Sequence, residues 1–122
     1  MLQEKTKIAR LTHELLLFTL AGHPTRVSVD ITEFQGGTRI TVEAQGCTLS
    51  DDKITEAQRA LTSPQRTELE SYYGGLVGEE ESHACNLRLV AAMVDSGQIE
   101  RTAQDLRLSI WWHHDTLASS RP

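Results

Sequence analysis

Apolar residues recur at three- and four-residue steps from Lys7 to Leu20, at Ile8, Leu11, Leu15, Leu16 and Leu20, which is the spacing of one face of an α-helix. Gly22-His23-Pro24 then stops it. In Arg26–Ile31 the period changes to two, with Val27, Val29 and Ile31 on one side and polar residues on the other. Gly36-Gly37 follows, and alternation resumes over Thr38–Glu43, so the stretch predicts a β-hairpin. Ser50-Asp51-Asp52 predicts a helix start: a capping side chain, then acids suited to the positive end of the helix dipole. Ile54, Ala57 and Leu61 give that helix an apolar face. Ser63-Pro64 repeats the signal and predicts a further helix through Leu69 and Tyr72-Tyr73 to Gly74-Gly75. Another is predicted from about His83 to Asp95, with Leu87, Val90, Ala91 and Val94 on one face and Ser96-Gly97 closing it. Last comes a second hairpin: Gln98–Arg101, a turn at Ala103-Gln104-Asp105, then Leu106, Leu108, Ile110 and Trp112 alternating with Arg107, Ser109 and Trp111.

Two hairpins joined across helices predict a two-layer α/β (α+β) sandwich, a mixed or antiparallel sheet with its helices on one face. With 122 residues the chain suits one hydrophobic core, and a domain of that size buries about two-thirds of the surface its unfolded chain exposes. The expected division is a single domain over residues 1–115 and a frayed polar tail over 116–122.

The charge is unevenly distributed along the chain. The net charge is −5, but between Glu43 and His83 nine acids face only Lys53, Arg59 and Arg66, so that stretch carries −6. Without a basic stripe, nucleic-acid binding is not expected, because clustered Lys and Arg supply affinity for a phosphate backbone. No apolar run approaches the about 20 residues of a membrane span, and the amphipathic start does not read as a signal peptide. Cys47 and Cys85 fall in no disulfide framework or metal-ligand spacing, and they read as buried structural thiols of a cytoplasmic protein.

Three segments, taken in order, resemble a known family. Glu14-Leu15-Leu16-Leu17-Phe18-Thr19 looks like the E-L-x-x-N-A motif that opens the histidine kinase-like ATPases (GHKL, Bergerat fold), relatives of gyrase, a mismatch-repair ATPase and a heat-shock chaperone. Ala44-Gln45-Gly46-Cys47-Thr48 looks like the D-x-G-x-G that ends their first hairpin. Ala84–Val90 looks like the glycine-rich start of the helix after their lid, and Met93–Ile99 is similar to the helix-glycine-strand step that follows. Glu68–Glu79 also resembles a small, stand-alone, uncharacterised bacterial branch of the fold.

The resemblance implies an ATP site, and the departures from it imply a degenerate one. The family's Mg²⁺-binding asparagine corresponds to Phe18, which offers no oxygen to a hard cation. The aspartate that binds the adenine amino group corresponds to Ala44, and the second glycine to Thr48. The glycines that let backbone approach phosphate correspond to Ala84 and Asn86, whose side chains crowd that approach. The acidic segment, which would be the lid, repels a tetra-anion. Glu14 and Gly46 keep the family's residue types. Glu14 matches the acid that activates water in some relatives, but it also reads as a solvated helix residue beside Arg10. Thr12-His13-Glu14-Leu15 in turn looks like a phospho-acceptor box, although that box needs a second long helix and a hairpin is predicted next. His113-His114 reads as a polar strand end, and each of Tyr72-Tyr73 and Trp111-Trp112 is expected to turn a ring outward.

The expected function is a non-catalytic regulatory or interaction module with a protein partner, no cofactor and no bound metal. Homodimerisation is left open. The alternatives are a divergent ATP-binding protein similar to the anti-sigma-factor kinases, and a histidine phosphotransfer protein using His13.

Overall fold

The structure, a computed structural model, describes residues 4–62 and 83–114. In chain order the described elements are α1 (Lys5–Leu20), β1 (Arg26–Phe34), β2 (Gly37–Gln45), α2 (Asp51–Leu61), α3 (His83–Met93), β3 (Ser96–Thr102) and β4 (Asp105–His113). The fold is α+β: a four-stranded sheet in the order β1-β2-β4-β3, antiparallel throughout, with the helices on one face. The helix predicted from Ser63-Pro64 to Gly74-Gly75 and the tail 116–122 lie outside the described residues.

Two-residue turns close both hairpins. Gln35 and Gly36 both have positive φ, at 52° and 78°, the pairing that matches the natural twist of the flanking strands. Ala103, at φ 56°, turns the second hairpin between Thr102 and Asp105. At the start of α2 the Ser50 hydroxyl accepts the Lys53 N–H at 3.2 Å, with Asp51 and Asp52 in the first turn. Ser50→Ala should therefore cost about 1 kcal/mol. Circular dichroism melts would show this as a drop of a few degrees, whereas Ser50→Asp should keep the parent midpoint.

The period-two pattern sorts the sheet into two faces. Ile40, Val42 and Ala44 of β2 sit opposite Ile110, Leu108 and Leu106 of β4, and all are buried under the helices. Trp112 continues this row opposite Thr38; its ring is 1% exposed and its indole N–H donates to Glu4 Oε1 at 2.7 Å. Trp111 takes the other face, so one ring of that pair turns away from the core. α1 packs over β2, α2 over β3, and α3 lies between the two helices.

The helix layer accordingly stops short of β1, and two expectations change. Val27, Val29 and Ile31 do share the helix-side face, but Val29 is 40% exposed because no described helix covers it. On α1, Leu20 is 52% exposed, while Phe18 and Thr19 are buried. The buried face thus turns toward Phe18 in the last turns, and Thr19 satisfies its hydroxyl by donating to Leu15 O at 2.7 Å. Among the described residues no helix is long and apolar enough to cross a membrane.

Candidate functional site

The last turn of α1 and the loop after β2 meet in one corner. Gly22, just past α1, accepts at its carbonyl both the N–H and the hydroxyl of Thr48, each at 2.8 Å. Glycine is required there by contact: a Cβ would run into Cys47 Sγ and stand 2.9 Å from Leu49 Cγ. From the other side, Cys47 N–H donates to Gln104 O at 2.8 Å, and the Arg101 guanidinium reaches both Cys47 O and Asp51 Oδ1 at 3.1 Å. Gly46 turns the chain into this loop at φ 72°, in the left-handed region that disfavours a side chain.

Within this corner the positions matched to metal and adenine contacts are core positions. Phe18 is 2% exposed and Ala44 is 1% exposed, and both belong to one buried cluster with Leu15, Cys47 and Leu49. Cys47 is a free, buried thiol. Thr48 is exposed, with its hydroxyl committed to Gly22 O. Ala84 and Asn86 stand in the first turn of α3, and their side chains, like that of Cys85, lie outside the described residues. So do Tyr72, Tyr73 and the acids Glu79–Glu81.

Glu14 departs from the solvated reading. It is half-buried, and its Oε1 is enclosed with no hydrogen-bond partner among the described residues. An enclosed polar oxygen without a partner costs free energy, and α1 holds two such atoms among the described residues, Glu14 Oε1 and Thr12 Oγ1. His13 is exposed, and α1 is followed directly by the β1–β2 hairpin. The second half of a phospho-acceptor helical pair therefore does not come next in the chain.

At the far end of the sheet the two histidines part ways. His113 is exposed and stacks on Trp111 with ring centroids 5.7 Å apart, while His114 shares a 2.7 Å hydrogen bond with Thr38 Oγ1. No group of three or more His, Cys, Asp or Glu residues gathers among the described residues.

Sequence reasoning passed over the helix-free face of the sheet. Here the Arg39 guanidinium lies 4.0 Å from the Phe34 ring centroid, and the Trp111 indole N–H donates to Phe34 O at 2.9 Å. Arg39, Thr41, Arg107, Ser109 and Trp111 line a shallow depression of about 480 Å³, and a second of about 270 Å³ lies around Ser28, Glu43 and Asp105. The signal was present in the alternation, since these are the polar and aromatic residues between the core positions of β2 and β4. The Arg107–Glu43 ion pair on this face, at 3.1 Å and half exposed at both ends, is worth at most about 1 kcal/mol. Comparison of the chain with protein-family models, with curated proteins and with solved structures finds no match, which leaves the functional reading to geometry and chemistry.

Proposed function

We propose that this chain is a non-catalytic protein-interaction module built on a histidine kinase-like fold whose nucleotide site has lapsed. The supporting observation is the burial of Phe18 and Ala44 in one apolar cluster. A side chain that fills the core cannot also present an oxygen to Mg²⁺ or accept a hydrogen bond from adenine. A helix, a hairpin, a later helix and a strand after it follow one another in the chain, which is compatible with the resemblance. The protein partner and the cytoplasmic setting belong to this same reading.

Calorimetric titration with ATP, with and without Mg²⁺, tests it. Affinity should be no better than about millimolar in either case. A low-micromolar dissociation constant would overturn the proposal in favour of a divergent ATP-binding protein. One observation favours that second reading, the enclosed and unpartnered Glu14 Oε1, which is where a water-activating acid would be found. It predicts ATP hydrolysis that Glu14→Ala abolishes; the interaction module predicts the same background rate for both proteins.

A further inference from the structure

The two edges of the sheet are finished differently. At β3, the Ile99 N–H is capped by the side chain of α2, donating to Gln58 Oε1 at 2.7 Å. At β1 no described segment does the same. The β1–β2 register runs unbroken from Arg26↔Gln45 to Phe34↔Gly37, so β1 carries no bulge, and it contains neither proline nor lysine. Bulges, prolines, lysines and inward-pointing charges are the usual means by which proteins keep an exposed edge from pairing, and of these β1 has only Glu33, at its hairpin end.

The chemistry of this edge is self-complementary. In a two-residue hairpin the closing pair, here Phe34↔Gly37, exchanges both backbone hydrogen bonds, and alternation then directs the N–H and C=O of Val27, Val29 and Ile31 to the free side. The same three side chains form the margin of the helix-side face, Val27 and Ile31 partly buried against the core and Val29 exposed. We propose that β1 pairs antiparallel with β1 of a second copy, about a two-fold axis through Val29, to give a continuous eight-stranded sheet.

Charge rejects the registers slipped toward the hairpin, and the apolar strip rejects the one slipped away from it, which sets Arg26 against Asp30 but leaves Ile31 opposite Thr25. With Val29 opposite its own copy, Val27 meets Ile31 and the apolar strip closes on itself. On the other face Ser28 meets Asp30, Arg26 meets Thr32, and each Arg26 lies diagonal to the opposite Asp30. A slip of one pair toward the hairpin stacks Asp30 on Asp30 and sets Val27 against Glu33. A slip of two pairs sets Val29 against Glu33. A two-fold interface must satisfy each contact twice, so a repulsive pair counts double and a favourable one does too.

The test is sedimentation velocity of the full chain over a range from about 1 to 500 µM, with substitutions at exposed positions that should leave the monomer folded. The parent should show a concentration-dependent monomer–dimer equilibrium. Ser28→Asp, which faces Asp30 of the other copy twice, should raise the dimer dissociation constant about tenfold, and Ser28→Lys should lower it several-fold. The double variant Ser28→Asp with Asp30→Lys should restore the parent value. As a register check, Val29→Cys should form a covalent dimer on mild oxidation, because backbone-bonded antiparallel partners stand about 5.5 Å apart at Cα, within disulfide reach. The parent, with Cys47 and Cys85, and Phe34→Cys should not. A parent that stays monomeric throughout overturns the proposal. So does a dimer indifferent to charge at Ser28, which would place the contact elsewhere on the surface or assign the edge to another strand.

Discussion

Replacing Phe18 with alanine is expected to destabilise the domain by about 3–5 kcal/mol, a large share of what a domain of this size has to lose. The ring is 2% exposed and shares its cluster with residues of α1, β2 and the loop that follows, so its removal leaves a cavity that three parts of the chain would have to collapse to fill. Urea unfolding would register the loss as a lower midpoint at an unchanged slope. Phe18→Asn is the more telling partner. It restores the residue type that the resemblance assigns to metal, yet it should cost at least as much stability, since an amide would enter an apolar cluster without partners. It should gain no Mg²⁺-dependent nucleotide binding. A Phe18→Ala penalty below about 1 kcal/mol would mean a loosely packed ring and would remove the main support for a lapsed site.

Gly37 is the second position where one methyl group should matter. It opens β2, pairing with Phe34 across the hairpin and with His113 in β4. A Cβ there would run into the carbonyl oxygen of Trp112 and stand 2.8 Å from the Trp111 ring. Flexible side chains can swing away from an intruding methyl, but a strand carbonyl cannot, so Gly37→Ala should cost about 3 kcal/mol, at the upper end for overpacking. The neighbouring Gly36 is the control. A Cβ at that position meets only His113 Nε2, at 3.8 Å, but the backbone sits at φ 78°. Gly36→Ala should therefore cost about 1 kcal/mol, through conformation alone. Chemical denaturation of both variants separates the mechanisms; equal losses would refute the contact argument at Gly37.

The positions matched to the nucleotide site and the β1 edge occupy different parts of the molecule. Phe18 and Ala44 lie beneath the helix layer, whereas Val27, Val29 and Ile31 lie at its margin, with Val29 exposed. The Arg39, Phe34 and Trp111 cluster on the helix-free face supplies a second presentable surface.

Periodicity alone was enough to place α1, both hairpins, α2 and α3, because burying one face of an element imposes its period directly on the chain. The same rule located the core rows at Ile40, Val42 and Ala44 and at Leu106, Leu108, Ile110 and Trp112, and local chemistry revealed the Ser50 cap. What periodicity could not supply was coverage. The alternation of Val27, Val29 and Ile31 is as regular as that of β4, yet β1 is half open, because burial depends on where helices far along the chain come to rest. The last turns of α1 illustrate the same limit: the buried face passes through Phe18 and Thr19 and leaves Leu20 in solvent, a matter of how the helix lies on β2. Nor could spacing show that Gly22 must be small because Cys47 presses on it, that Glu14 Oε1 is enclosed without a partner among the described residues, or that Gln58 caps one sheet edge while no described segment caps the other. Each of these depends on atoms brought together from distant parts of the chain, and only the packed tertiary structure sets those distances.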